Sequence, residues 1–149
     1  MPAIKRRTFI FSPLALMFAT TRQSHAAVAV FYRNPGCQCC HAWAEQMKAA
    51  GFALDLQDSD DLPAEQAKLG IPEALQGCHA GAIDGYSFSG HVPPADIVAF
   101  LASKPTARGL AVPGMPMGSP GMENGNDREP FDVMLFNADG TTRKFAHHG

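Results

Sequence analysis

At 149 residues the chain has room for one ordinary domain and its tails, and with 46% apolar residues it can bury a core. The formal charge is −2, but residues 1–26 carry four basic side chains (Lys5, Arg6, Arg7, Arg22) and no acid, leaving 8 basic against 14 acidic groups in the remainder. That balance excludes a nucleic-acid binder, which needs a basic stripe, and suits a protein that handles cations.

Residues 1–26 read as an export signal rather than as part of the fold. A basic start, Lys5-Arg6-Arg7, precedes an apolar stretch from Phe9 to Ala19 that Ser12 and Pro13 interrupt, and small residues close it at Ser24-His25-Ala26. The stretch is too short and too broken to span a membrane. Arg6-Arg7-Thr8-Phe9-Ile10 has the twin-arginine pattern, with a Sec signal as the alternative. Either places the mature chain, residues 27–149, in the periplasm as a single domain. No later segment reaches 18 uninterrupted apolar residues, so no membrane insertion is expected of it.

Val28 to Tyr32 is an apolar, β-rich run that suits a central strand. Arg33-Asn34-Pro35-Gly36 breaks it, three cysteines follow, and residues 40–50 carry Trp43, Ala44, Met47 and Ala50 at helical spacing. Phe52 to Leu56 alternates as a second strand. Asp58 to Asp61 caps a short helix from Pro63 to Leu69. Ala80–Asp84 and Tyr86–Ser89 form a hairpin around Asp84-Gly85, and His91-Val92-Pro93-Pro94 opens a helix bearing Ile97, Val98 and Leu101. The resulting α/β order, β-α-β-α-β-β-α, matches the thioredoxin-like arrangement, in which strand one runs into a cysteine motif at the head of helix one. Residues 105–130 lose all periodicity in a Met/Pro/Gly-rich loop. Phe131–Phe136 and Thr141–Phe145 close the chain as a terminal β-hairpin.

Cys37, Cys39, Cys40 and Cys78 are all in the exported part. Two disulfides are the first expectation for an even count outside the cytoplasm, yet Cys39 and Cys40 are adjacent, and pairing Cys37 with Cys40 and Cys39 with Cys78 would staple little chain. Three sulfurs within four residues fit a ligand set or a redox site better. Cys37 and Cys40 have C-x-x-C spacing at a helix start, where free backbone N–H groups favour thiolate. A third adjacent thiol invites scrambling in an exchange enzyme but serves a metal site. In a thioredoxin-like chain the loop before the third strand faces that motif, so Cys78 would join it. Four thiolates can hold one zinc tetrahedrally or several Cu(I) ions through bridging sulfurs.

Other donors are weaker signals. His79 is either a ligand or a histidine beside the site. Met115, Met117 and Met122 offer thioethers that bind Cu(I), or cap the site with apolar side chains; Met47 belongs to the helix core. His41 is placed to tune or ligate, His91 precedes a helix start, and His147-His148 reads as a tail that can scavenge Cu(II). No paired carboxylates, serine nucleophile motif or phosphate-cradling loop is present.

Asn34-Pro35-Gly36-Cys37-Gln38-Cys39-Cys40, Gly77-Cys78-His79, Asp84-Gly85-Tyr86, Gly90-His91-Val92-Pro93, and the run from Gly109 to Pro116 continuing through Gly118-Ser119-Pro120-Gly121-Met122 resemble the bacterial CopG-like copper-resistance proteins. The resemblance spans roughly residues 28–146. It implies a thioredoxin-like fold and a multinuclear Cu(I) cluster bridged by Cys37, Cys39, Cys40 and Cys78. It further implies a role in copper resistance, extending to Cu(I)/Cu(II) oxidoreductase chemistry for periplasmic copper exporters or chaperones. The family motif usually has Gly where this chain has Gln38, which narrows the mouth of the site without adding a soft ligand. Two readings compete: a thiol–disulfide oxidoreductase using Cys37 and Cys40, and a structural zinc module that unfolds on chelation.

Overall fold

The computed structural model describes residues 28–149; the export signal read at 1–26 lies outside the described residues. Seven strands form one mixed sheet. In chain order they are β1 (Ala29–Arg33), β2 (Leu54–Asp58), β3 (His79–Ile83), β4 (Tyr86–Ser89), β5 (Gly109–Ala111), β6 (Phe131–Phe136) and β7 (Thr142–His148). Three helices connect them: α1 (Gln38–Ala49), α2 (Leu62–Lys68), which leads into a 3-10 turn at Glu73–Leu75, and α3 (Pro94–Ser103).

The spatial order is β2-β1-β3-β4-β5-β6-β7. β1 runs parallel to β2 and antiparallel to β3, and β3 turns back into β4. The expected β-α-β-α-β-β-α order is therefore present, and β1, which runs into the Cys37–Cys40 segment, and β3, which Cys78 immediately precedes, are direct neighbours. Among the described residues no helix is long and apolar enough to cross a membrane.

Strand periodicity sorts the apolar residues onto two faces. Leu110 and Leu135 join Phe31, Trp43, Met47, Phe88, Ile97 and Phe100 in the larger core, under α1 and α3. Their neighbours Ala111 and Phe136 point the other way, to Ile71, Leu75 and Ala80 in the smaller core beyond α2. Each fully buried aromatic of this set is worth about 2–3 kcal/mol of apolar burial. α2 starts where the acidic turn predicts: the Asp61 carboxylate accepts the Ala64 N–H at 3.1 Å.

Two expectations are corrected. The aperiodic segment hides β5, a strand of three buried residues, too short to show alternation. It pairs parallel with β4 and antiparallel with β6, so it welds the terminal hairpin to the sheet. A Cβ at Gly109 would collide with the Ser87 carbonyl, which explains the glycine. His147 and His148 are not a tail but the end of β7: His147 pairs with Asp132 and His148 with Asp96, each at 2.6 Å, and the His148 ring stacks on Phe131.

Candidate metal centre

The site forms where β1, α1, β3 and β4 end together. Asn34-Pro35-Gly36 turns the chain off β1, with Gly36 at φ +73° and the Cys37 N–H donating to the Asn34 carbonyl at 3.2 Å. Cys37 is the N-cap of α1 and makes no side-chain cap. Its carbonyl is held instead by the buried Arg33, whose Nη1 donates at 3.0 Å while Nε pairs with Asp58 at 2.7 Å. Cys39 and Cys40 follow in the first helical turn. Cys40 is fully buried; Cys37, Cys39 and Cys78 are half-buried.

Cys78 reaches the helix head from the residue before β3. The amide of Gln66, itself buried on α2, clamps the preceding residue. The Gly77 N–H donates to Gln66 Oε1 at 2.9 Å and Gln66 Nε2 donates to the Gly77 carbonyl at 3.2 Å. The Ser89 hydroxyl completes the arrangement, accepting from the Gly77 N–H at 2.9 Å and donating to Gln66 Oε1 at 2.8 Å.

The sulfurs of Cys37, Cys39, Cys40 and Cys78 consequently lie within 4.8 Å of one another. Cys37 and Cys40 form a disulfide, and Cys39 and Cys78 are free thiols. Of the two disulfides that an even count suggests, only that one is formed. Cys39 Sγ stands 3.4 Å from Cys37 Sγ and 3.9 Å from Cys78 Sγ, and Cys40 Sγ is 3.6 Å from Cys78 Sγ. Burial, and next the neighbouring Cys39, push the Cys78 thiol up to about 12.

Two histidines complete the wall. His79 Nδ1 is 3.4 Å and His91 Nε2 3.2 Å from Cys78 Sγ, and both rings are buried. Burial first, then the neighbouring His91, lowers His79 to about 3; burial also lowers His91. Both are neutral imidazoles at neutral pH. His91 Nδ1 donates to the Pro120 carbonyl at 2.7 Å, so Nε2 presents a lone pair toward Cys78. The His79 ring packs on Trp43 with centroids 4.3 Å apart, and its Nε2 finds no hydrogen-bond partner.

The methionine-bearing loop reaches the site through its backbone. Gly121, at φ +88°, lies against the head of α1 so closely that a Cβ would sit 2.6 Å from the Cys39 carbonyl and 2.8 Å from the Trp43 nitrogen. Glu123 ties this approach down, accepting from the Gly121 N–H at 2.8 Å and from Gln46 Nε2 at 2.7 Å. Met115 is exposed and Met117 and Met122 are half-buried. His41 is exposed on α1. Sequence reasoning noted His91 only as preceding a helix start and gave Pro120 and Gly121 no role at the site. The hairpin register does carry the first of these, because Ala80 pairs with Ser89 and the Gly90 N–H donates to the His79 carbonyl, setting Cys78 opposite His91.

Residues 75–122, which include Cys78, both buried histidines and the Gly121 approach, match the model of a family described as a protein of unknown function, DUF411. No curated protein matches the chain. Two solved structures, both of copper resistance protein CopG, are similar to it over nearly their whole length. Form 2 is 36% identical with a TM-score of 0.77, covering 82% of this chain and 98% of that one. Form 1 is 36% identical with the same TM-score, covering 81% and 96%.

Proposed function

Because the chain belongs to the family of copper resistance protein CopG, we propose that it captures Cu(I) in the periplasm as part of copper resistance, with Cys37, Cys39, Cys40 and Cys78 as thiolate ligands. The observation that carries this reading is the convergence of four sulfurs from two separate segments within 4.8 Å of one another. Soft, low-coordinate Cu(I) suits such a set, and sulfurs this close can bridge several ions. The disulfide is the oxidised end of the cycle. Two Cu(II) ions taking one electron each from the Cys37 and Cys40 thiolates yield two Cu(I) and this disulfide; an external dithiol, itself oxidised to a disulfide, returns two electrons and two protons and reopens it. Cys39 and Cys78 remain free thiols when that disulfide is closed. Met115, Met117 and Met122, on the loop whose Gly121 backbone meets α1, serve as soft donors or as a lid, and His79 backs the site.

The test is copper content after reduced protein is loaded anaerobically with Cu(I) and desalted against a competing chelator. More than one copper per chain is expected, falling sharply in Cys78→Ser, which leaves the C-x-x-C pair intact. Full loading in that variant overturns the convergent site. The disulfide itself supports a second reading, a thiol–disulfide oxidoreductase using Cys37 and Cys40. That reading predicts metal-free reduction of a protein disulfide and indifference to Cys39→Ser, whereas a copper cluster loses capacity in the same variant.

A further inference from the structure

With Cys37 and Cys40 joined, the free donors at the site are no longer all sulfur. Cys78 Sγ, His79 Nδ1 and His91 Nε2 remain, all within 4.8 Å of one another, with Cys39 Sγ 3.9 Å from Cys78. We propose that the disulfide form carries a metal site of different chemistry, in which Cys78, His79 and His91 bind one borderline divalent cation of the zinc class, its fourth position open toward the half-buried side of the cleft where Cys39 stands. This goes beyond the Cu(I) reading, since it uses neither Cys37 nor Cys40.

The distances fit. Zinc–sulfur bonds of about 2.3 Å and zinc–nitrogen bonds of about 2.0–2.1 Å give tetrahedral edges of about 3.6 Å for S–N and about 3.8 Å for S–S. The two S–N separations here are 3.2 and 3.4 Å and the S–S separation is 3.9 Å, so a few tenths of an ångström of side-chain adjustment accommodates an ion. A thiolate with two imidazoles is also a borderline donor set, which favours zinc over Cu(I) relative to four thiolates.

The histidines are otherwise hard to account for. Hydrogen bonding to the Pro120 carbonyl fixes His91 in the tautomer that leaves Nε2 unprotonated and aimed at the site, the usual outer support of a metal-bound histidine. His79 is wholly buried against Trp43 and Phe31 and turns Nδ1 toward the Cys78 sulfur, in a place where phenylalanine would avoid the desolvation of a polar ring. Ligation explains why the ring is imidazole. On binding, the Cys78 S–H proton leaves to solvent as the metal–sulfur bond forms, and the disulfide is untouched.

The experiment uses full-length protein with the disulfide intact and two titratable thiols per chain, freed of metal and kept without reductant. Zn2+ is titrated calorimetrically, and Co2+ serves as the spectroscopic probe. One ion per chain is expected, with the intense visible bands of tetrahedral Co2+ and a thiolate-to-cobalt charge-transfer band. Loss of an outer support alone weakens such sites about 10–100-fold, so His91→Gln and Cys78→Ser are each expected to weaken binding by about 100-fold or more. The Cys37→Ser/Cys40→Ser double variant keeps the divalent ion while losing Cu(I) capacity, which separates failure of this site from failure of the copper reading. Trp43 emission checks the fold of each variant, and if His91→Gln unfolds, the half-exposed Cys78→Ser decides. Failure of the wild type to retain an ion overturns the proposal. So does binding that persists in Cys78→Ser, which would locate the ion elsewhere, at the β7 histidines for example.

Discussion

Gln66 touches no sulfur, yet its removal should be felt at the site. In Gln66→Leu the shape is nearly kept, but the Gly77 carbonyl and the Ser89 hydroxyl lose their Gln66 partners, while the Gly77 N–H retains Ser89 Oγ. Ser89 is fully buried and Gly77 half-buried, so water can relieve only the second. A buried group left unsatisfied costs about 1–3 kcal/mol; the apolar leucine returns part of this, leaving about 2 kcal/mol net. For a domain of this size that is a fall of about 7 °C in the melting midpoint. Circular dichroism melts of metal-free protein measure it, and copper loading of the folded variant reads its consequence, because the clamp holds the residue next to Cys78. A midpoint within about 2 °C of wild type together with undiminished copper affinity would refute the argument that this amide positions Cys78.

Gly121→Ala should be worse than its size suggests: the new Cβ meets backbone atoms of Cys39 and Trp43 and must adopt φ +88°. We expect a loss of about 2 kcal/mol or more, seen as a lower melting midpoint and altered Trp43 emission, whereas Gly125→Ala, where a Cβ meets nothing, shows only the smaller strain of its φ. The loop should also loosen in acid. Burial works against the Glu123 carboxylate, but its hydrogen bonds from Gln46 and the Gly121 N–H hold it below its usual value. Its stabilisation is therefore complete above 4.5 and lost as pH falls through the depressed folded value. The protection of the Gly121 amide, its exchange rate corrected for the intrinsic pH dependence, should fall over that window in the wild type and stay constant in Glu123→Gln.

The elements with a strong period were legible. β1, α1 and the Asp84-Gly85 hairpin lie where the apolar pattern and the turn residues put them, within two residues. The convergence of Cys78 on the first cluster follows from that order alone. What escaped were features with no period to read. β5 has three residues and exists because Gly109 lets it approach Ser87. The histidines at 147 and 148 look like a tail because pairing with β6 and Asp96, not the local sequence, makes them strand. His91 could have been found by counting: the hairpin pairs Ile83 with Tyr86 and Ala80 with Ser89, and two more steps bring Cys78 opposite His91. Gly121 could not, since only the packed loop shows that its missing side chain is the contact.

The protonation of Cys78 argues for what the site is built to take. An exchange enzyme needs an attacking thiolate, and such thiols sit where positive charge lowers their pKa. Cys78 is in the opposite setting. It is pushed up to about 12 by burial and by Cys39, and the imidazoles beside it are neutral. In water at neutral pH it is therefore a thiol and a poor nucleophile. A cation alters that balance: it supplies at contact distance the positive charge that the protein withholds, and the proton leaves as the metal–sulfur bond forms. Metal uptake at Cys78 must then release a proton and strengthen as pH rises. The same environment leaves Cys78 slow to attack a disulfide, so it can stand 3.6 Å from Cys40 Sγ without scrambling the Cys37–Cys40 bond. A thiol that stays inert toward its neighbouring disulfide until a metal arrives fits capture of a cation at Cys78.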